Sequence, residues 1–278
     1  MNVAFNYCQY ELKPVLEREL TYKDKVYLSA LMNTAATEDV MMIGPTASKH
    51  GIITPNKAYL KLIVKHLTRR NILITQSNAA GRKRGQKRRT HKLDILENWH
   101  KVNVLPTDDV SAFTDRICYL NLKDEENFID STYDLWLEIA AYEFMAMIEH
   151  EALAFNIKLP ELQWKVDESF KSFVSSYSLA QLKTIVIETF DIYIKRHLSG
   201  EFDEKGLITR ITEDIPYYLQ KLNNEGFVPA PTNREINYFV GSSILHTMFF
   251  NHICGFNDSI YSLKPSKKVL EIMYLEGK

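Results

Sequence analysis

The stretch between Thr54 and Leu96 constrains the fold most, because a strongly amphipathic helical pattern is followed there by a basic segment between two strand-like segments. Its apolar residues recur at the i, i+3, i+4 and i+7 spacing of one helix face, at Leu60, Ile63, Val64 and Leu67. Thr54 and Pro55 predict the start of this helix, since threonine caps helices and proline is tolerated at the first helical position. Asn71 predicts its end, because asparagine tolerates the left-handed conformation found there.

A basic hairpin is predicted to follow this helix. The β-branched run at 72–75 and the alternating segment at 91–96 are typical of two neighbouring strands. Six of the nine residues from Gly81 to Arg89 are lysine or arginine. Charge at this density favours an anionic polymer as partner, because each neutralised phosphate releases counterions. A solvated basic hairpin with no partner is the alternative.

The elements predicted upstream complete a recognisable order. They are a helix capped by Thr21, a short strand at 40–43, and a short helix at 46–50 that ends at Gly51. Over residues 21–100 the order resembles the winged helix–turn–helix superfamily of DNA-binding regulators. The resemblance lies in element order and in the position of the charge. The turn between the second and third helices lacks the small-residue signature of the common bacterial subfamilies, and the hairpin is longer and more basic than most.

The resemblance implies a set of DNA-contacting residues. The helix that begins at Pro55 would enter the major groove, where Asn56, Lys57 and Lys61 would read base edges. The other residues expected to contact DNA, mainly through phosphates, are Ser48, Lys49, Thr54, Lys65, Arg69, Arg82, Lys83, Arg84, Lys87, Arg88 and Arg89. A plain solvated face is the alternative for the lysines of the helix.

The charge distribution predicts two domains. Residues 1–107 contain 18 lysines and arginines against 8 aspartates and glutamates, whereas residues 108–278 contain 16 against 27. Only the first part is therefore suited to a polyanion. We predict a mainly α fold, with a basic winged-helix domain over 1–107, including an N-terminal arm over 1–20, and an acidic all-α domain over 108–278.

The acidic part contains dense helical patterns and no clear site. The helices are predicted at about 124–155, 165–176, 178–198, 205–224 and 233–254, with a short amphipathic helix near the end. No HExxH motif or matched ligand set supports a metal site, so we expect no metal and no cofactor, and we expect ordinary packing or solvent exposure for Glu143, Glu149, His150, Glu151, His246, His252 and Cys254. This domain is expected to mediate dimerisation and to respond to a small-molecule or protein effector.

The sequence favours a sequence-specific double-stranded DNA-binding protein, a transcriptional regulator that acts as a homodimer, because one helix and one hairpin bury too little surface for tight specific binding. A cytoplasmic, non-membrane location is expected, since a signal-peptide pattern and a long apolar run are absent and the three cysteines are widely spaced. The alternative is a plasmid or mobile-element replication or partition protein, because 215–228 has the helix-to-strand pattern of a second winged unit. An RNA-binding protein and an enzyme are less favoured, since the sequence has no catalytic motif that we recognise.

Overall fold

The chain divides into two compact units. A computed structural model describes residues 12–38, 40–76, 94–160, 166–226, 229–230 and 243–276. The sheet unit comprises Met1–Ala47 and Leu62–Tyr119, and the helical unit comprises Ser48–Lys61 and Leu120–Lys278. The fold is mainly helical with a small sheet, as predicted. The boundary predicted after residue 107 coincides with none of these divisions and stays a prediction.

The sheet unit combines short strands with helices. Its elements are β1 (Val15–Leu16), α1 (Tyr22–Ala35), β2 (Met42–Ile43), part of α3 (Lys57–Arg69), β3 (Leu73–Gln76), β4 (Trp99–Val102), β5 (Val104–Leu105) and α4 (Val110–Cys118). The strands β2, β4 and β3 form an antiparallel sheet in that order, and β1 pairs with β5 in parallel. Of the arm predicted over 1–20, residues 1–11 lie outside the described residues.

Helix α1 begins where the sequence predicts. Thr21 and Asp24 form a capping box, in which the Thr21 N–H donates to Asp24 Oδ2 at 2.8 Å and the Asp24 N–H donates to Thr21 Oγ1 at 3.3 Å. The helix is buried on most of its surface and packs against α4. Asp109 caps α4, because its Oδ1 accepts from the Ala112 N–H at 2.9 Å.

The second strand of the hairpin lies later than predicted. Ile95–Glu97 is a 3-10 turn, and β4 begins at Trp99, so the strand predicted at 91–96 is wrong for its described residues. Asp94 explains the turn, since its Oδ1 accepts from the Leu96 N–H at 3.2 Å and this local hydrogen bond competes with strand pairing. Strand β3 pairs with β4 from Leu73 opposite Val102 to Gln76 opposite Trp99.

The long helix α3 is shorter at its start than predicted and ends as predicted. Its first residue is Lys57, not Pro55. The short helix before it, α2 (His50–Ile53), continues through Gly51, so the predicted stop at Gly51 is wrong. At the other end Asn71 has a φ of 59°, and the Ile72 N–H donates to the Leu67 carbonyl at 2.9 Å, which is a Schellman ending.

In the helical unit, all regular elements that the structure describes are helices. They are α2, the first turn of α3, α5 (Phe128–Ala154), α6 (Glu168–Ser175), α7 (Leu179–Leu198), α8 (Glu204–Asn224), α9 (Ile244–His246), a π-helix (Thr247–Ile253) and α10 (Lys267–Glu276), with a 3-10 helix (Asn257–Ser262). Helix α5 is central, because it packs against α6, α7 and α10. The predicted strand near Phe227 and Val228 lies outside the described residues.

Candidate nucleic-acid interface

Helix α3 has the predicted buried face. Leu60, Ile63, Val64 and Leu67 are at most 1% exposed, so the other side of the helix carries its polar residues. The four cations on that side are spaced by four residues, and successive members are therefore about 40° apart around the helix. They are Lys57 and Lys61, which are half-buried, and Lys65 and Arg69, which are exposed. The helix thus carries a row of positive charge that starts beside its apolar stripe at Lys57 and reaches the opposite side at Arg69.

Asn56 and Thr54 are not available to DNA in this structure. Asn56 is 2% exposed, its Oδ1 accepts from the Tyr59 N–H at 2.9 Å, and its Nδ2 donates to the Tyr142 carbonyl at 3.1 Å. Asn56 therefore caps α3, which is the role that the sequence assigned to Thr54. Thr54 is fully buried, and its hydroxyl donates to the Asn56 carbonyl at 2.8 Å. Neither residue belongs to the surface that we propose below.

Two further residues that were predicted to contact DNA, Ser48 and Lys49, precede α3 in the sequence. Ser48 is exposed and Lys49 is half-buried, and both lie on the 3-10 turn Ala47–Lys49 that leads into α2. Ser48 and Lys49 belong to the helical unit, as do Lys57 and Lys61, whereas Lys65 and Arg69 belong to the sheet unit.

The six cations of the hairpin segment lie outside the described residues, and only the two ends of that segment are described. These cations are Arg82, Lys83, Arg84, Lys87, Arg88 and Arg89. After this segment in sequence, His100 of β4 is held by two hydrogen bonds. Its Nε2–H donates to the Ile95 carbonyl at 3.0 Å, and its Nδ1 accepts from the Thr75 hydroxyl at 3.3 Å. Burial lowers the pKa of His100, and the hydrogen bond to Ile95 opposes that shift only in part.

A buried carboxylate joins α1 to α3 within the sheet unit. Asp24 is fully buried, its Oδ1 accepts a hydrogen bond from His66 Nε2 at 2.8 Å, and its Oδ2 forms an ion pair with Arg70 Nε at 3.1 Å. The pKa of Asp24 is lowered, because the hydrogen bonds from His66 and Thr21 and the charge of Arg70 outweigh the opposing effect of burial. Sequence reasoning missed this cluster, although His66 and Arg70 are four residues apart on a helix and so face the same side.

A second group of contacts, within the helical unit, holds the start of α3 and was also missed. The rings of Tyr59 and Tyr142 stack with centroids 4.1 Å apart and an interplanar angle of 5°. The neighbouring Glu143 accepts, through Oε1, a hydrogen bond from His246 Nδ1 at 3.0 Å, and both side chains are buried. The other oxygen of Glu143, Oε2, is buried without a hydrogen-bond partner. His246 is thus buried, as predicted.

Comparisons with known proteins do not identify the chain. No protein-family model, no curated protein and no solved structure matches it. Among the described residues, no group of three or more histidines, cysteines or carboxylates could hold a metal ion. None of the helices in the described part of the chain is long and apolar enough to cross a bilayer.

Proposed function

We propose that this chain is a sequence-specific double-stranded DNA-binding protein, a cytoplasmic transcriptional regulator that acts as a homodimer without catalytic activity. In this proposal residues of the first 107 bind DNA in the manner of a winged helix. The acidic helical part carries the dimer contact and the response to an effector, either a small molecule or a protein.

The order of the elements supports the proposal. Helix α1, strand β2, the short helix α2, the long helix α3 and strands β3 and β4 follow one another as in the resemblance drawn from the sequence. The sheet order β2-β4-β3 sets the two hairpin strands side by side. A helix that buries one stripe and carries cations on its other side is suited to the major groove.

One observation carries the proposal. Strands β3 and β4 pair from Leu73 to Gln76, so the chain between Gln76 and Trp99 connects two adjacent strands of one sheet. That connection includes the segment in which six of nine residues are cationic. A concentrated positive charge on a strand connection, directly after a helix with cations on its polar side, favours a duplex with its regular phosphates over an acidic protein surface.

The contribution of the basic hairpin, called the wing below, is tested by replacing its six cations together by alanine. These are Arg82, Lys83, Arg84, Lys87, Arg88 and Arg89. We expect weaker binding to all duplex sequences and a flatter dependence of affinity on salt, because each lost phosphate contact removes about 0.9 from the slope of log K against log salt. Fluorescence anisotropy with a labelled duplex, measured over a range of salt concentrations, gives both quantities.

The matched control removes six exposed lysines of the helical unit instead. These are Lys158, Lys195, Lys205, Lys221, Lys264 and Lys268. The control has the same net charge as the wing variant, so an equal loss of slope in both would mean that overall charge, and not the hairpin, governs binding. An unchanged slope in the wing variant would exclude the hairpin as a phosphate contact.

Selection of bound duplexes from a random library distinguishes the remaining classes. A consensus of two inverted half-sites about one helical turn apart is expected for a dimeric regulator. Direct repeats would favour the replication or partition protein instead. Preference for RNA of matched length, or no enrichment at all, would overturn the proposal.

A further inference from the structure

We propose that Tyr142 is a positioning residue for the DNA-recognition helix. It holds the first turn of α3 and so determines how Lys57 and Lys61 are presented to DNA. This inference rests on the proposed function, and it adds that helix α5 of the acidic part controls the part of α3 expected to lie nearest the bases.

Tyr142 makes two different contacts with the start of α3. Its carbonyl accepts from Asn56 Nδ2 at 3.1 Å, and its ring stacks on that of Tyr59. Asn56 also caps α3 through the Tyr59 N–H, so one side chain links the helix start to α5. Tyr59 is fully buried and Tyr142 is 7% exposed. The two contacts hold both the position and the rotation of the first turn, because a hydrogen bond is directional and the two stacked rings are buried in close packing.

A second connection secures the same segment. Helix α2, which leads into α3, contacts α9. Helix α9 is itself joined to α5 by the buried hydrogen bond between His246 and Glu143, the residue after Tyr142. The residues before and within the first turn of α3 are therefore held by two elements of the helical unit, α5 and α9.

The rest of α3 has different partners. From Leu62 onward the helix belongs to the sheet unit, where Asp24 contacts both His66 and Arg70. The cations at the two ends of α3 are therefore positioned by different neighbouring elements. A change in α5, produced by an effector or a partner subunit, would alter how Lys57 and Lys61 are presented, while Asp24 would keep its contacts with His66 and Arg70.

The test compares Tyr142→Leu, which removes the stacked ring, with Tyr142→Phe, which keeps it. Hydrogen exchange measured on the full chain should be at least about tenfold faster for the amides of residues 59–61 in Tyr142→Leu, and unchanged for residues 65–69. The affinity for the selected DNA site should fall about tenfold, while binding to unrelated duplexes and the salt slope stay as in the wild type. Tyr142→Phe should restore both properties.

Two further variants separate positioning from general stability. Asn56→Ser keeps an acceptor for the Tyr59 N–H but cannot also reach the Tyr142 carbonyl, so it should reproduce part of the loss of specificity. Tyr193→Leu removes another buried tyrosine of the helical unit, from α7, and should leave exchange at 59–61 unchanged. If Tyr142→Leu does not fold, Asn56→Ser still provides the comparison.

The outcomes separate this inference from the proposed function. Unchanged exchange at residues 59–61 in both Tyr142→Leu and Asn56→Ser would overturn the inference, whatever the protein binds. Faster exchange together with an unaltered preference among DNA sites would also overturn it, since the turn would then be held without serving recognition. A wild-type protein that binds no DNA would overturn the proposed function, whereas faster exchange in Tyr142→Leu would still support the hold of α5 on α3.

Discussion

A single buried carboxylate, Asp24, connects three parts of the sheet unit. It caps α1 together with Thr21, accepts a hydrogen bond from His66 of α3, and forms an ion pair with Arg70, the residue that follows α3. A fully buried carboxylate is costly unless it is hydrogen-bonded and paired, and Asp24 is both. Because its pKa is lowered on folding, Asp24 contributes stability that is fully present above the pKa of the unfolded chain and is lost as the pH falls through the folded value.

Replacing Asp24 by asparagine should lower the free energy of unfolding at neutral pH by about 2–3 kcal/mol, since the charge-assisted hydrogen bonds are lost. Below about pH 4, the ordinary range of an aspartate, the wild type should lose this advantage, and the two proteins should converge. Urea unfolding between pH 7 and pH 2 measures the difference. Asp115→Asn, at an exposed aspartate on α4, is the control and should follow the wild type. A constant difference at all pH values would contradict the account.

Among the helices, α9 is joined to α5 by a buried hydrogen bond between His246 and Glu143. His246 and Glu143 are 4% and 1% exposed in their side chains, and Glu143 Oε2 has no hydrogen-bond partner. Removing one member of such a pair leaves the other buried without compensation, whereas replacing both by apolar residues removes the desolvation cost together with the attraction. The pair joins α9 to α5, and we expect it to add little net stability compared with two apolar side chains.

This gives a prediction for two variants. His246→Leu should lower the free energy of unfolding by about 3–5 kcal/mol, and the double variant with Glu143→Leu should recover most of that loss. Chemical denaturation measures both, provided that the denaturant dependence has the same slope in all three proteins. Equal destabilisation in the single and the double variant would mean that the two side chains do not interact.

Elements specified by neighbouring residues were predictable, and those specified by distant residues were not. Thr21 and Asn71 mark helix ends through bonds to residues at most five positions away, and both were identified from the sequence. The cap at Asn56 is also local, through the Tyr59 N–H, but Thr54 and Pro55 form an equally good helix start in sequence, and the contact that distinguishes Asn56 is with a carbonyl 86 residues away. The late start of β4 was missed because the alternation at 91–96 does not reveal where the partner strand begins.

In the candidate site, too, features set by neighbouring residues were predictable and features set by distant residues were not. Periodicity alone identified the buried stripe of α3 and its cationic side. It could not show that Asn56 is enclosed, since burial depends on the helices that pack against it. The Tyr142 contacts and the Asp24 cluster join residues from separate elements, and single-sequence patterns carry no signal for such pairs.

At the scale of the whole molecule, α4 belongs with the sheet unit although it follows the predicted boundary at residue 107. Phe113 and Ile117 of α4 are at most 2% exposed. Arg116 donates to Glu17 through Nε at 2.7 Å and to Asp108 through Nη2 at 2.7 Å. These contacts tie α4 to the strand-rich part of the chain.

A fragment of residues 1–119 should therefore be more stable than one of residues 1–107. Burial of Phe113 and Ile117 corresponds to about 3–6 kcal/mol, at about 1.5–3 kcal/mol for each side chain. Thermal unfolding followed by circular dichroism would show a higher midpoint for the longer fragment. Both fragments lack α5, so any loss of stability caused by its absence is the same in both. Equal midpoints would support the boundary at residue 107.

The separation of Asn56 from Tyr142 has a consequence for synthesis on the ribosome. The two residues are 86 positions apart, so at about 5–20 residues per second the start of α3 emerges about 4–17 s before its partner. During that interval Tyr59 and Asn56 have no α5 to cover them. The nascent N-terminal third therefore lacks the α5 contacts that hold the first turn of α3, and translation through α5 sets the earliest time at which the proposed DNA-binding surface can be complete.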